Sequence, residues 1–236
     1  MVKKPTSTDE PYPDFGLALG GGLQFPDTLQ ARMVAEMRLR ESNIPPKYLN
    51  KDFSNFLARD RKRKDLLAVA QGYVESFNLE NKSKYFGLFF AAPTGAGKTH
   101  LATAILKAVI LKGYSGIYGN VPRLLEILRE LMFDRAHYDD RGFLARCEAA
   151  DLLVLDDIGA ETVTGWVQDR LYLLINRRYE DVGRTIVTTN CGDAELREKI
   201  GERVESRLIE MCNNRWVFPD EDYRMKTWGP KSDAER

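Results

Sequence analysis

The sequence predicts an α/β fold built on a parallel sheet, and three stretches carry that prediction. Leu88-Phe89-Phe90-Ala91-Ala92 runs directly into the turn Pro93-Thr94-Gly95-Ala96-Gly97, and Lys98-Thr99 then opens a helical pattern. Asp151-Leu152-Leu153-Val154-Leu155-Asp156-Asp157 contains four consecutive apolar residues closing on two carboxylates. A strand that is apolar at every position belongs in a sheet covered on both faces. Arg184-Thr185-Ile186-Val187-Thr188-Thr189-Asn190 is a third strand, rich in β-branched residues, and helical patterns separate the three.

At 236 residues and 43% hydrophobic content, the chain suits one good-sized domain with a smaller appendage. Thirty-five basic and 35 acidic residues leave no net charge, so any nucleic-acid contact must come from a local patch. No apolar run follows Met1-Val2-Lys3-Lys4-Pro5 or approaches the ~20 residues of a membrane span, which predicts a cytoplasmic protein without a membrane partner. Cys147, Cys191 and Cys212 are odd in number, far apart and lack a C-x-x-C pair, a pattern of reduced core thiols.

In chain order, the prolines and glycines of residues 1–27 predict a flexible tail. Thr28 to Arg40 predicts a short helix with Leu29, Met33, Val34 and Met37 on one face, free to dock on the core or on a partner. Residues 28–50 thus form a helical segment and linker, 51–220 the main domain, and 221–236 a polar tail. Tyr48, Phe53 and Phe56 are aromatics either for the core or for a nucleobase. Arg59 to Lys64 is a charge run, read as a solvated face or else a contact to phosphate or an acidic partner, at the start of a helix reaching Val74. The first strand should start near Tyr85, with a helix from Thr99 to Lys112 after the glycine-rich turn. Gly116 to Gly119 is a second strand, followed by a helix from Arg123 to Met132. Phe133 to Arg146 fits either a surface helix or a DNA-facing insertion. Further helices are expected over Glu161 to Arg178 and, broken near Gly201, over Ala194 to Met211, before a last strand at Arg215 to Phe218.

The chemistry concentrates on a few of these residues. Backbone N–H groups of Pro93-Thr94-Gly95-Ala96-Gly97 are free to converge on an anion, apart from the proline, which has none. Lys98 supplies a point charge for β- and γ-phosphates, and the Thr99 hydroxyl is a hard ligand for Mg²⁺. G-x-x-x-x-G-K-[ST] is matched except that Ala92 stands at the first glycine, a departure that matters only if the turn there needs positive φ. The nucleotide-binding set is therefore Pro93, Thr94, Gly95, Ala96, Gly97, Lys98, Thr99 and His100. Asp156 and Asp157 end a strand where ligands bind in open α/β sheets: Asp156 suits the Mg²⁺ contact, and Asp157 a general base or water orienter. Asn190, at the same sheet edge, is placed to hold the attacking water or a γ-phosphate, or else to cap a turn. Arg203 and Arg207, four apart, share a helix face.

This order of motifs resembles AAA+ ATPases, and more narrowly the DnaC/DnaI helicase loaders and IstB-like transposition helpers. The resemblance is carried by Asn43-Ile44-Pro45-Pro46-Lys47-Tyr48, Phe53-Ser54-Asn55-Phe56, Gly95 to Ala102, Leu155-Asp156-Asp157-Ile158-Gly159-Ala160-Glu161 and Gly201 to Leu208, and spans residues 42 to 220. It implies a five-stranded AAA+ P-loop NTPase core that lacks the C-terminal helical lid, and for Arg207 the role of an arginine finger reaching a neighbouring subunit, with Arg203 as the reserve candidate. It also implies ATP and Mg²⁺ as cofactors, self-association through nucleotide interfaces, and delivery of a replicative hexameric helicase onto single-stranded DNA. The IstB-like alternative is ATP-dependent help to a transposase in choosing target DNA. A small-molecule kinase would require an arginine-bearing lid, and an ATP-gated scaffold would bind nucleotide while barely hydrolysing it.

Overall fold

Strands that are apolar on both sides need a helical layer on each face, and the chain builds both. The computed structural model describes residues 23–80, 87–132, 138–161 and 164–219. Strands β1 (Gly87–Ala91), β2 (Gly116–Asn120), β3 (Leu152–Asp156) and β4 (Arg184–Thr189) pair in parallel in the order β2-β3-β4-β1. Strand β5 (Cys212–Val217) adds to the outer edge of β1, also parallel, with a register irregularity between Gly87 and Phe89. The uninterrupted part of the sheet is thus four strands, one fewer than the sequence predicts, with β5 joined through that irregular pairing.

Alternate residues divide the core. Leu88, Phe90, Leu152, Val154 and Ile186 face helices α1 (Leu29–Glu41), α2 (Arg61–Glu75) and α3 (Lys98–Leu111). Phe89, Ala91, Leu153, Leu155 and Val187 face the other layer. That layer holds α4 (Val121–Met132), α5 (Tyr138–Ala149), α6 (Gly165–Glu180), α7 (Asp193–Ile200) and α8 (Glu202–Met211). Helix α3 lies between the sheet and the N-terminal helices, so every residue from Leu101 to Leu111 is buried, Lys107 among them.

Several boundaries differ from the sequence reading for local reasons. Helix α6 begins at Gly165 and not at Glu161, because the Thr164 side chain accepts the Val167 N–H and caps it there. Helix α4 begins two residues early, with Pro122 in its first turn. Gly201, at φ 84°, separates α7 from α8. Strand β5 starts at Cys212, directly after α8. The expected strand start at Tyr85, the proline-rich tail over residues 1–22, the first part of the 133–146 stretch and everything after 219 lie outside the described residues.

Two surface expectations are sharpened: the α1 stripe faces away from the core, and the charge run is partly buried. In α1 the buried face is Ala35 and Leu39, while Leu29, Met33 and Met37 are 75%, 62% and 52% exposed. The helix's rotation is set by its exit, where Tyr118 N–H donates to Ser42 C=O (2.7 Å) and Asn43 Nδ2 donates to Tyr118 C=O (3.2 Å). The Arg59–Lys64 run is not wholly solvated: Asp60 caps α2 by accepting the Arg63 N–H, and the Arg63 side chain is buried in an ion pair with the same carboxylate. All three cysteines are free and buried, and burial pushes the thiols of Cys147 and Cys212 up to about 12. Among the described residues no helix is long and apolar enough to cross a membrane.

Arg178 ties the second layer to the sheet. Its guanidinium, 1% exposed, donates to the carbonyls of Cys147, Glu148, Ala150 and Arg184 and to Thr185 Oγ1. The planar five-donor fork reaches all of these, whereas a lysine ammonium offers three donors from one point. Arg178→Ala should therefore destabilise the fold by several kcal/mol, since each buried acceptor left without its donor costs about 1–3 kcal/mol, and Arg178→Lys should recover only part of it. Urea unfolding of the three proteins measures this.

Candidate nucleotide-binding site

The site forms where β1, β3 and β4 end together. From Ala91 the chain turns through Gly95 (φ 83°) and Gly97 (φ 101°) into α3, both in the left-handed region open to glycine. Gly97 has a second reason to lack a side chain, since a Cβ there would lie 3.0 Å from the Phe56 ring. Ala92 is not among the positive-φ residues, so its replacement of the first motif glycine costs the turn nothing.

A crevice of about 400 Å³ opens over this turn, a size suited to a small ligand. Thr94, Gly95, Ala96, Gly97, Lys98, Thr99 and His100 line its floor, Asp157 and Asn190 one side, and Tyr48, Lys51, Asn55, Phe56 and Leu57 the other. Pro93, which the sequence placed in the binding set, is not among the residues lining the crevice and contributes only a carbonyl that accepts from Lys98. Lys98 Nζ donates to Ala92 C=O (2.7 Å), Pro93 C=O (3.0 Å) and Asn190 Oδ1 (2.7 Å). Asn190 Nδ2 in turn donates to Asp157 Oδ1 at 3.0 Å. Loop lysine, strand-end amide and second carboxylate are therefore one chain of hydrogen bonds.

Asp156, 2% exposed, is the anchor beneath them. Its Oδ1 accepts from Thr99 Oγ1 (2.9 Å) and Thr188 Oγ1 (2.7 Å), and its Oδ2 from the Tyr118 hydroxyl (2.6 Å). Thr188 Oγ1 also accepts the N–H of Asp157, fixing the two carboxylates relative to each other. Asp157 sits at φ 60°, a conformation that Asp and Asn tolerate better than most residues. Burial first, then the neighbouring Asp156 charge, raises the Asp157 carboxyl above its usual range, opposed by Lys98 and Asn190. Burial and the adjacent carboxylate likewise hold the Tyr118 hydroxyl protonated.

Opposite these groups the linker is strapped to α3. His100 Nε2 meets Asp52 C=O at 2.7 Å and must carry the proton there, because a carbonyl only accepts. Burial lowers the His100 pKa and favours this neutral form. Lys107 Nζ donates to Leu49 C=O (2.6 Å), and burial brings its pKa down to about 8. The Asp52 carboxylate closes its own turn by accepting from Ser54 and Asn55 N–H. Phe56 stands edge-on to the His100 ring, 5.3 Å between centroids. The aromatics of this linker split as the sequence left open: Phe56 and Tyr48 join the core and also wall the crevice, whereas Phe53 only packs on the core.

The donor set fits Mg²⁺. Thr99 Oγ1 and the Asp156 carboxylate are hard oxygens side by side at the strand end, and no cluster of three His, Cys, Asp or Glu among the described residues could cage an ion alone. Mg²⁺ is held in this way, by one or two protein oxygens with phosphates and water completing the octahedron. Arg203 and Arg207 are not in the crevice. They lie on α8 against α6: Arg207 Nε donates to Asn176 Oδ1 (3.1 Å) with its guanidinium 4.3 Å from the centre of the Tyr179 ring, and Arg203 sits over Tyr172.

Two hydroxyls that support the site went unnoticed in the sequence, as did Lys51 and Leu57 of its wall. Thr188 lay inside a strand read only for its β-branching. Tyr118 pairs in register with Val154, two residues before Asp156, so alternation places both side chains on one sheet face. That parity was available from the sequence once the strands were aligned.

A parallel sheet with a phosphate-loop lysine, paired strand-end carboxylates and a strand-end asparagine defines a P-loop protein of the AAA+ type. The chain belongs to the family of IstB-like ATP binding proteins, whose model matches residues 29–212 and so takes in α1, further toward the N-terminus than the motifs alone suggested. It is 27% identical over 198 residues to the replicative helicase loader DnaC of Escherichia coli (strain K12), covering 84% of this chain and 78% of that protein. A crystal structure of the DnaC helicase loader superposes with TM-score 0.65 at 31% identity, over 73% of this chain and 99% of that one. DnaI superposes with TM-score 0.62 at 21% identity, over 76% and 94%, and so shares the fold.

The raised Asp157 carboxyl makes a prediction with a definite sign. A native pKa above the unfolded value means ionised Asp157 costs stability; the cost is absent below the ordinary Asp range, grows as pH rises to the raised native value and is complete above it. Asp157→Asn keeps the left-handed backbone and an oxygen for Asn190 while removing that charge. Its melting temperature should equal or exceed wild type at pH 7, with the difference shrinking on acidification, and thermal denaturation across pH checks it.

Proposed function

We propose that this protein is an ATPase that delivers a replicative helicase onto single-stranded DNA. The observation that carries the reading is the crevice itself, where Lys98, Thr99, Asp156, Asp157 and Asn190 meet on a fold shared at 31% identity with the DnaC helicase loader. Backbone N–H groups from Thr94 to Thr99 cradle the β- and γ-phosphates at the N-terminus of α3. Lys98 exchanges its carbonyl partners for phosphate oxygens. Thr99, backed by Asp156, holds Mg²⁺, which supplies neutralisation of the charge developing on the phosphates. Asp157 orients or deprotonates the attacking water, with Asn190 holding that water or the γ-phosphate. Tyr48, Phe56 and Leu57 offer an apolar wall to the base.

Arg207 completes the site of a neighbouring subunit. Its place on α8, away from its own crevice, supports a role in trans, and such a finger is typically worth ~10³–10⁵ in rate. Arg203 is the second candidate on the same face. ATP held between subunits then stabilises a DNA-competent assembly, and hydrolysis releases it. The helicase contact falls to the N-terminal segment, where Leu29, Met33 and Met37 present an exposed apolar stripe. The family match to IstB-like proteins favours one second reading, in which the same ATPase core assists a transposase.

ATPase assays with and without single-stranded DNA, together with co-purification against a hexameric replicative helicase, test this. Wild type should hydrolyse ATP and retain the helicase. Arg207→Ala should bind ATP as wild type does while losing hydrolysis by about 10³-fold or more. Asp157→Asn should lose about 10²–10⁴-fold with binding intact. Normal turnover in Arg207→Ala would remove the intersubunit mechanism, and ATP-dependent filaments on duplex DNA without helicase binding would favour the transposition reading.

A further inference from the structure

The motifs account for Thr99, Asp156 and Asp157 but not for the tyrosine beneath them. Tyr118 is 3% exposed in the middle of β2, the edge strand on one side of the sheet. Its hydroxyl donates to Asp156 Oδ2 at 2.6 Å. The hydroxyls of both threonines bind the other oxygen, Oδ1, whereas Tyr118 donates to Oδ2 and so holds the carboxylate from its second side against turning about its last bond. The tyrosine is itself held at three points. Its N–H donates to Ser42 C=O at 2.7 Å, its C=O accepts from Asn43 Nδ2 at 3.2 Å, and its ring lies 6.4 Å from that of Tyr48 on the crevice wall. Asn43 reaches it from a left-handed backbone, φ 58°. The linker below α1 thus covers the open edge of β2 at Tyr118, the β2 residue whose hydroxyl donates to the metal-side carboxylate.

We propose that Tyr118 is a positioning residue for Asp156, orienting the carboxylate so that Oδ1 backs Thr99 for Mg²⁺ binding, with the Ser42–Asn43 hook fixing the tyrosine in turn. The inference rests on reading the crevice as a Mg²⁺–ATP site. Outer partners that orient a metal-side ligand typically contribute 10–100-fold to metal affinity. Removing the Tyr118 hydroxyl leaves the ring packed and deprives a buried carboxylate oxygen of its donor, so the loss falls on the ion and not on the nucleotide's direct contacts with the loop.

The test is equilibrium binding of a fluorescent ATP analogue to the full chain, titrated with MgCl₂, in wild type and Tyr118→Phe, with thermal melting of both as a check on folding. The expected result is an unchanged analogue affinity in EDTA and a Mg²⁺ midpoint raised about 10-fold or more in Tyr118→Phe. A midpoint within twofold of wild type would overturn the proposal. So would loss of binding already in EDTA, which would make Tyr118 a general support of the pocket. If wild type itself binds no analogue, the failure belongs to the reading of the crevice and is separable from the role of Tyr118.

Discussion

Everything at the site is referred to one buried carboxylate. Asp156 comes out of water at the end of the interior strand β3, and a buried charge persists only when its oxygens are satisfied. Hydroxyls from three elements do this: Thr99 from α3, Thr188 from β4 and Tyr118 from β2. Each bond also places something else. Thr99 fixes the exit of the phosphate loop, Thr188 fixes the backbone of Asp157, and Tyr118 fixes the linker that walls the crevice. The first turn of α3, the ends of β3 and β4 and the middle of β2 therefore cannot shift independently.

The linker is the second consequence. Residues 42–57 hold no regular element beyond one 3-10 turn at Pro46–Tyr48, yet Lys107 and His100, both on α3, donate to the carbonyls of Leu49 and Asp52. A buried lysine whose pKa is brought down to about 8 is a costly way to hold a loop, and here it holds the loop that carries Tyr48, Phe56 and Leu57 to the crevice. The N-terminal segment and the phosphate-loop helix behave as one packed unit, in accord with a family match that begins at Leu29.

Much of this was legible in the sequence, for physical reasons that differ by element. The phosphate loop and the Asp156-Asp157 strand were readable because their chemistry requires fixed spacing, and a doubly covered strand requires apolar residues on both faces. The orientation of α1 was not readable: Leu29, Met33 and Met37 form a helical stripe, but the chain's exit onto Tyr118 turns Ala35 and Leu39 inward instead. Arg63 looked like a solvated charge and Lys107 drew no reading, because sequence alone does not reveal that a cap carboxylate or a loop carbonyl lies within reach. Thr188 and Tyr118 were hidden for a related reason. Their roles depend on which strands are neighbours, and the order β2-β3-β4 brings both beside Asp156.

The account stands most directly on what Lys98 does when a triphosphate arrives. A structure of the full chain with a non-hydrolysable ATP analogue and Mg²⁺ measures this. The triphosphate is predicted to lie over Gly95 to Thr99, with Lys98 Nζ moved from the Ala92 and Pro93 carbonyls onto phosphate oxygens and Thr99 on the ion. An analogue bound elsewhere, or Lys98 still on those two carbonyls beneath a bound triphosphate, would contradict it.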